Sequence, residues 1–373
     1  MKKDIYKVAI IGFGHVHIND VAAHFANNQR IDLCCCADTE PLVPELKEGP
    51  YTRKWNLEFV KKNFHIKRVY DDYKEMIAKE ALDLAVVNSE NAYHVEITEE
   101  CAKRNIAVCI EKPMATNLSD GLKMYRSILT YGSELMVNWP LTWNPAMHKI
   151  KSMIDSGEIG QLIELKTRMG HTGPLGPGAK HKGVSQTAAV MTDMEKARTW
   201  WHQSACGGGA MVDYCCYGTA MCAWFIGKSA VAAMGMRLNS ITRMGDVEDN
   251  SCVFLRFDDC YAVLEGTWTT FNHGFSTPII YGTNGTLIGN YKNQSLKFID
   301  TKGVEHDVAL DQLPDHLSDV AAAYVHHMDT GEPLHITQQP EFNLRALAML
   351  DAGVRSAGSG KMEITDNICW KIG

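Results

Sequence analysis

Short apolar runs alternate with longer amphipathic runs through the first 140 residues of this 373-residue chain, and no other feature constrains the fold as strongly. Such alternation is typical of the buried strands of a parallel sheet and of the helices that cover it. The predicted strands are Val8 to Ile11, Leu33 to Ala37, Leu84 to Val87, Ala107 to Ile110 and Leu135 to Val137. A helix is predicted between Asn91 and Arg104. Strands that alternate with helices imply right-handed crossover connections between parallel strands. We therefore predict a doubly wound parallel sheet.

The pattern changes in the second part of the chain. A helix is predicted from Met147 to Ile154, and a Leu- and Ala-rich helix from Glu341 to Ala357. The polar stretch at 170–198 has few periodic signals and is expected to form a loop or arm.

Alternating apolar runs at 252–257 and 261–266 predict two antiparallel strands, with a tight turn at residues 258 and 259 between them. The second part of the chain is therefore predicted to be rich in sheet. Because 373 residues with 45% hydrophobic composition exceed what one core usually accommodates, two domains are expected. We predict a first domain at 1–140 that contains the parallel sheet and a second, sheet-rich α/β domain at 141–373.

Composition and charge exclude several function classes. The net charge is −7 and the basic residues are scattered, so nucleic acid is not an expected partner. No run reaches the roughly 18 uncharged apolar residues of a membrane span, and the first residues lead into a strand rather than a signal peptide. We therefore expect a cytoplasmic protein with no membrane partner.

The twelve cysteines are interpreted as buried free thiols. Three of them are consecutive at 34–36 inside an apolar run. No pair with C-x2-C or H-x3-H spacing is present, so no metal site is predicted.

A glycine motif stands at the end of the first predicted strand, where residues 12–17 read G-F-G-H-V-H. Gly12 permits a tight turn, and Gly14 lets the backbone approach a diphosphate. His15 and Val16 lead into the next helix, whose N-terminal amides would face the diphosphate. The third glycine of the usual motif is His17 in this chain, which makes the pattern weaker.

Asp38 follows the second predicted strand, 21 residues after His17. A carboxylate at this point can accept both hydroxyls of an adenosine ribose and would repel a 2′-phosphate. No arginine stands in the adjoining segment 38–41 to receive such a phosphate. The predicted cofactor is therefore NAD, and the alternative is an aspartate that only caps a turn.

Glu111, Lys112 and Pro113 directly follow the strand that ends at Ile110, at the edge where doubly wound sheets bind ligands. The Lys112 ammonium could donate to a carbonyl oxygen or, if burial lowers its pKa, help to remove a hydroxyl proton. The alternative is an ordinary Lys-Pro loop.

Three glycines at 207–209 open a predicted helix that carries Asp213 and Tyr217. Because side chains four residues apart share one face of a helix, the carboxylate and the phenol could converge on one substrate hydroxyl. The alternative is a buried tyrosine bonded to a helical neighbour.

These motifs, with four further segments, closely resemble the glucose-fructose oxidoreductase, inositol dehydrogenase and rhizopine-catabolism (Gfo/Idh/MocA) family. The likeness covers nearly the whole chain. The further segments are N-S-E-N-A-Y-H (88–94), I-D-S-G-E-I-G (154–160), Y-G-T-N-G-T-L (281–287) and L-D-A-G-V-R-S (350–356). The resemblance implies an NAD-binding Rossmann domain at 1–140, followed by a substrate-binding and oligomerisation α/β domain at 141–373 with a large open, mostly antiparallel sheet. Because this sheet commonly forms oligomer contacts in the family, a homo-oligomer, either a dimer or a tetramer, is expected.

The resemblance also implies roles by position. Lys112 matches the lysine of the family's E-K-P motif, which meets the nicotinamide ribose and the substrate hydroxyl, and Glu111 of the same motif is a predicted cofactor contact. Asp213 matches the aspartate of the glycine-rich helix. Ser89 and His94 fall where the family lines the adenosine and nicotinamide sides of the cleft.

The chain departs from the family at three positions. Tyr217 stands where many members carry histidine, Glu90 replaces a common proline, and Thr142 replaces a frequent arginine. Because a phenol ordinarily has a pKa near 10, Tyr217 would need a nearby cation to act as a base at neutral pH. His171 and His181, in the polar stretch, could supply the missing imidazole, and His181 and Tyr217 are the predicted substrate contacts.

The predicted activity is NAD-dependent oxidation of a secondary hydroxyl group of a sugar, polyol or glycoside, including the C3 hydroxyl of a glucosyl group. Lys112, Asp213 and Tyr217 would manage the proton. Two alternatives stay open: a glycoside-cleaving enzyme that recycles its NAD, and a non-enzymatic sensor of NAD or sugar. Four tryptophans could offer apolar faces to a sugar ring: Trp139, Trp143, Trp200 and Trp201.

Overall fold

The first sheet is parallel and has six strands in the order β3-β2-β1-β4-β5-β6. The computed structural model describes residues 2–175, 191–270 and 277–365. The strands are β1 (Tyr6–Ile11), β2 (Ile31–Ala37), β3 (Arg68–Tyr70), β4 (Leu84–Val87), β5 (Ala107–Glu111) and β6 (Leu135–Asn138). The helices between them are α1 (Ile18–Asn27), α2 (Arg53–Phe64), α3 (Tyr73–Lys79), α4 (His94–Ala102) and α5 (Leu118–Tyr131). The predicted doubly wound parallel sheet is confirmed.

The strands of this sheet were predictable because helices cover both of its faces, so their residues form nearly continuous apolar runs. All four residues of β4 are buried, as are all four of β6. The short strand β3 escaped prediction because its three residues are exposed or only half-buried. Cys34, Cys35 and Cys36 lie buried in β2, and every cysteine in the described ranges is free, as expected.

The second sheet has nine strands in the order β14-β13-β12-β11-β7-β10-β9-β8-β15. Among its paired strands only β7 and β10 run parallel in the described ranges, which confirms a mostly antiparallel sheet. Its strands are β7 (Leu162–Gly170), β8 (Ala232–Leu238), β9 (Asn250–Arg256), β10 (Tyr261–Thr267), β11 (Ile279–Gly282), β12 (Gly285–Asn290), β13 (Ser295–Asp300), β14 (Glu305–Asp307) and β15 (Glu363–Ile364). The predicted turn joins β9 to β10, and the Phe257 amide donates to the Cys260 carbonyl across it at 2.9 Å.

Five further helices follow the first sheet in the chain. They are α6 (Pro145–Asp155), α7 (Asp193–Ala197), α8 (Cys216–Phe225), α9 (Val320–Thr330) and α10 (Pro340–Ser359). Both α8 and α10 pack against this sheet and against each other, which buries its inner face. Within the described ranges, no helix combines the length and the apolar character needed to cross a membrane.

Helix α9 returns to the first sheet, although it follows the second sheet in the chain. The Tyr324 and Tyr6 rings meet edge to face at 5.6 Å, and Asp329 accepts hydrogen bonds from Tyr6 and Arg30. Residues from both halves of the chain therefore contribute to one hydrophobic cluster against the first sheet. A domain boundary near residue 140 stays a prediction.

Candidate active site

The glycine loop after β1 is packed tightly against the end of β4. Gly12 has a φ of +84°, and a Cβ atom there would lie 2.6 Å from the Ser89 backbone nitrogen. The position therefore requires glycine on both conformational and steric grounds. The His15 amide donates to the Asn88 carbonyl at 2.9 Å, and Val16 is buried behind the loop.

Two tryptophans from the second half of the chain cover this loop. The Trp200 indole donates to the Gly14 carbonyl at 2.7 Å, the Trp200 and Trp201 rings stack at 3.9 Å, and Trp201 meets the edge of His15 at 4.8 Å. These two tryptophans, suggested above as apolar faces for a sugar ring, instead contact the glycine loop in the structure. Trp139 is also a packing residue, because its indole donates to buried Asn343 at 2.6 Å.

Asp38 follows β2, as predicted, and lies beside the glycine loop. Its Oδ1 accepts from the amides of Phe13 at 2.9 Å and Thr39 at 2.8 Å. Its Oδ2 lies 3.5 Å from Nε of Arg53, the first residue of α2. The segment 38–41 contains no arginine, but α2 brings Arg53 to Asp38 from farther along the chain.

Several buried polar groups at this edge fit a polar ligand. Both side-chain polar atoms of Asn88 and Nε2 of His94 are buried and have no hydrogen-bond partner within the described structure. Burial lowers the pKa of His94 to about 4, so its imidazole is neutral. Because buried polar groups are normally paired, these atoms support a polar ligand bound at this edge of the sheet.

Glu111 ends β5 and joins two histidines of the glycine loop. His17 Nδ1 lies 3.0 Å from one carboxylate oxygen, and Asn138 donates to the other at 2.6 Å. In the described ranges, one group of possible metal ligands is found, formed by His15, His17 and Glu111 with ligand atoms within 4.8 Å of one another. His15 and His17 have H-x-H spacing, which differs from the H-x3-H spacing considered in the sequence. The group stands before the N-terminus of α1, whose amide dipoles favour anions over cations.

Lys112 and Asp213 form a buried ion pair between the two halves of the chain. The Lys112 Nζ donates to Asp213 Oδ1 at 2.7 Å, and the Trp268 indole donates to Asp213 Oδ2 at 3.1 Å. Lys112 is 2% exposed and Asp213 is 9% exposed. Both carboxylate oxygens are therefore occupied, and Asp213 holds the ammonium in one orientation.

Tyr217 also meets this ammonium. Lys112 Nζ lies 4.9 Å from the centre of the Tyr217 ring, over its face. The residues from Met211 to Cys215 form a π-helical turn before α8, so the spacing of Asp213 and Tyr217 is not that of a regular α-helix. The two side chains still converge on Lys112.

The pKa directions of Lys112 and Tyr217 bear on the proton-transfer roles that the sequence left open for them. Burial opposes the charge on Lys112, but the contact with Asp213 outweighs it and raises the pKa of Lys112 above its ordinary value. Burial raises the pKa of Tyr217 well above 10. Lys112 is therefore an ammonium donor at neutral pH, and burial favours the protonated phenol of Tyr217, whose ring face the ammonium approaches.

The described part of the polar stretch brings an imidazole to this site. The His171 ring meets the edge of Tyr214 at 5.3 Å, and Tyr214 stacks with Tyr217 at 6.3 Å. His171 also lies close enough to Asp213 to lower the pKa of that carboxylate, although burial opposes the effect and Lys112 contributes more. His181 lies outside the described residues.

Three residues of the site were missed by sequence reasoning: Arg53, Trp268 and Glu248. Glu248 accepts from the Met211 amide at 2.8 Å and so orients the turn that carries Asp213. No local motif marks these residues, because each acts on a partner that is distant in the sequence.

The fold and the glycine loop define the dinucleotide-binding Rossmann class of proteins. Comparison with family models extends this assignment. Residues 6–139 match the GFO_IDH_MocA oxidoreductase family with its NAD-binding Rossmann fold, and residues 147–288 match the GFO/IDH/MocA C-terminal domain. The chain belongs to the GFO/IDH/MocA oxidoreductase family, and its N-terminal region is an NAD-binding Rossmann domain.

Individual relatives are distant. A D-apiose dehydrogenase from Paraburkholderia graminis is 27% identical over 42% of this chain, and the match spans 38% of that protein. A scyllo-inositol 2-dehydrogenase (NAD(+)) from Bacillus subtilis is 22% identical over 69% of this chain and 70% of its own length. A levoglucosan dehydrogenase, solved with NADH and levoglucosan, shares the fold with a TM-score of 0.74 and 17% identity, over 97% of this chain and all of that one.

Proposed function

We propose that this chain is an NAD-dependent dehydrogenase that oxidises a secondary hydroxyl group of a sugar or polyol. The observation that carries the proposal is the buried ion pair of Lys112 and Asp213, which lies just beyond β5 at the carboxyl edge of the first sheet. A doubly wound sheet places its ligands at this edge. A buried charge is costly, so a paired ammonium in a cleft of this fold is a functional-site candidate.

The cofactor is proposed to lie along the glycine loop. Gly12 and Gly14 would let the diphosphate approach the backbone, and Asp38 would face the adenosine ribose. The unpartnered atoms of Asn88 and His94 would gain partners near the other end of the cofactor. When bound, NAD supplies the carbon that accepts the hydride.

Lys112 is proposed to hold the oxygen of the reacting hydroxyl group. An ammonium group aimed at an oxygen stabilises the negative charge that develops when the oxygen loses its proton. Asp213 keeps Lys112 charged and oriented, and Trp268 holds the second carboxylate oxygen in place. The two residues therefore form a donor that needs no rearrangement during the reaction.

His171 is proposed to accept the hydroxyl proton. Lys112 and Tyr217 both have raised pKa values, so neither is a suitable base at neutral pH. An imidazole is the side chain best matched to proton transfer near pH 7. The contact of the His171 ring with Tyr214, the neighbour of Asp213 in the chain, supports this role.

The proposed substrate class rests on chemistry and on the relatives. Tyrosine rings and an imidazole lie around Lys112 and Asp213, and such groups combine apolar faces with hydrogen-bonding edges that suit a ring with many hydroxyls. The named relatives act on apiose, inositol and levoglucosan. Oxidation of a glucosyl group at C3 is a narrower form of this proposal. Assembly into a homo-oligomer through the second sheet is also proposed.

The direct test is to mix purified protein with NAD and a panel of monosaccharides, inositols and glucosides. Growth of absorbance at 340 nm with at least one polyhydroxylated compound is expected. Release of aglycone without net NADH would instead indicate a glycoside-cleaving enzyme that recycles its cofactor. Nucleotide binding with neither result across the panel would favour a sensor. Failure to bind NAD would contradict the proposal.

A further inference from the structure

A buried arginine lies beside the glycine loop and belongs to no predicted motif. Arg53 is the first residue of α2 and is 6% exposed. A Cβ atom at Gly14 would lie 3.3 Å from Nη1 of Arg53. The guanidinium therefore borders the part of the glycine loop whose backbone would approach a ligand. Arg53 and Asp38 also line one cleft of about 470 Å³ that opens at this edge.

Glu90 holds the guanidinium in place. One carboxylate oxygen of Glu90 accepts from Nη2 of Arg53 at 2.7 Å and from Nη1 at 3.2 Å, and Thr39 accepts from Nη2 at 3.0 Å. The Glu90 side chain is 2% exposed. The Nε atom of Arg53 has no hydrogen-bond partner in the described structure and faces Asp38 at 3.5 Å. The guanidinium is therefore charge-compensated but incompletely bonded.

Three carboxyl groups surround this arginine. Asp38, Glu45 and Glu90, here called the acidic collar, surround Arg53, and Glu45 accepts from its backbone amide at 3.1 Å. Burial opposes the charge on Arg53, but Glu90 and Asp38 outweigh it and raise the pKa of the guanidinium above its ordinary value. The guanidinium thus stays charged while the collar occupies it.

A guanidinium is the side chain best suited to bind a phosphate monoester, through paired hydrogen bonds and a permanent charge. We propose that Arg53 is a latent 2′-phosphate anchor and that Glu90, together with Asp38, sets the preference for NAD over NADP by keeping this anchor occupied. This inference rests on the proposed binding of NAD along the glycine loop. It assigns a specificity role to Glu90, where the sequence alone pointed only to Asp38.

The test is Glu90→Gln, which keeps an acceptor for Arg53 and removes one negative charge. We expect the Kd for NADP, relative to that for NAD, to fall by about tenfold or more, because the guanidinium becomes available to the phosphate. Isothermal titration with each nucleotide alone measures this ratio without any turnover. Glu58→Gln is the matched control, since Glu58 is exposed on the same helix and pairs with Lys61.

The double variant Glu90→Gln with Arg53→Met separates the anchor from a general charge effect. Loss of the NADP gain in the double variant supports the inference, and a gain that persists without Arg53 overturns it. If Glu90→Gln lowers the unfolding midpoint too far, Glu90→Pro is the second variant, because the φ of −58° at this residue suits proline. If the wild-type protein binds NAD and the Glu90 variants leave the ratio of the Kd values for NADP and NAD unchanged, this inference alone is overturned. Wild-type protein that binds neither nucleotide overturns the proposed function with it.

Discussion

Lys112 carries a positive charge at 2% exposure, between the carboxylate of Asp213 and the face of Tyr217. At the scale of single residues, this environment decides the chemistry. The same E-K-P sequence in an apolar cavity would lower the pKa of the lysine, but the carboxylate of Asp213 raises it. The residue type is therefore visible in the sequence, and its protonation state is not.

Replacing Lys112 with methionine tests its role as the oxygen-holding donor. We expect kcat/KM to fall by about 10³-fold or more, because the developing charge on the oxygen would lose its donor. Binding of NAD should stay measurable by titration. Lys103→Met, at an exposed residue paired with Glu100, is the control. Unchanged turnover in Lys112→Met would remove this residue from the mechanism.

His171→Gln tests the proposed proton acceptor. The variant keeps hydrogen-bonding capacity but cannot take up a proton, so we expect kcat/KM to fall by roughly 10² to 10⁴-fold near neutral pH. The pH profile of kcat/KM should also lose its acidic limb, a change that a purely structural role would not produce. A profile with the same shape as wild type would assign the proton to another group.

At the scale of elements, the turn before α8 decides where Asp213 and Tyr217 point. The glycine run allows the chain to pass close to its neighbours, since a Cβ atom at Gly208 would lie 2.1 Å from the Trp201 carbonyl oxygen. The π-helical turn from Met211 to Cys215 then delivers Asp213 to Lys112. Such turns are frequent at functional sites, and no simple sequence period marks them.

Gly209→Ala tests this element. Gly209 has a φ of +109°, and a Cβ atom would lie 2.4 Å from Oε1 of Glu248, the oxygen that accepts the Met211 amide. We expect a loss of at least about 2 kcal/mol in the free energy of unfolding, together with reduced turnover.

Gly227→Ala is the matched control for this substitution. Gly227 has a φ of +73° but nothing within 4 Å of the added atom, so only the conformational cost of about 1 kcal/mol is expected. Urea unfolding measures both variants. Equal losses in the two would mean that the contact with Glu248 does not matter.

At the scale of the whole molecule, the part of the second sheet's outer face that lies on β8 and β9 presents apolar side chains that nothing in the described ranges covers. Met234 and Phe254 are opposite one another in the register of β8 and β9, at 47% and 48% exposure, and Met236 on the same face is 67% exposed. The inner face of the same strands is buried by α8 and α10. Adjacent exposed apolar side chains of this kind are typical of protein interfaces.

We predict that this outer face joins copies of the chain. Wild-type protein should have the mass of a dimer or tetramer by light scattering, and Phe254→Glu should lower that mass because it would bury a charge in the interface. Leu129→Glu, at a 60% exposed leucine on α5, provides the control. A monomeric wild-type protein at micromolar concentration would refute the prediction.

Buried imidazoles should make the fold sensitive to acid. Burial lowers the pKa values of His94, His202 and His335 to about 4, against an ordinary value of 6.5. The unfolded chain therefore takes up these protons first, so stability is fully present above pH 6.5 and is lost as the pH falls toward 4. The loss is on the order of 1–3 kcal/mol for each fully buried imidazole.

Urea unfolding at about pH 7.5 and about pH 5 checks this expectation. His202→Asn should reduce the difference between the two conditions, because it removes one titrating group. A difference in His202→Asn equal to that of wild type would show that this imidazole does not contribute.

The amino-acid sequence by itself determined the order and type of most elements. The periodicity of apolar residues is a local property of the chain. The sequence therefore placed β4 at Leu84 to Val87 and the glycine loop at the end of β1. Sequence spacing also placed Asp213 and Tyr217 near each other. Exposed or short segments such as β3 carry too weak a local signal to be predicted.

Only the tertiary structure decided which distant residues meet. It brought Arg53 to Glu90, Lys112 to Asp213 and Trp200 to the carbonyl of Gly14. These contacts join residues 37, 101 and 186 positions apart. Charge, burial and pKa depend on such neighbours, because the energy of a buried ion is set by what surrounds it rather than by its place in the chain.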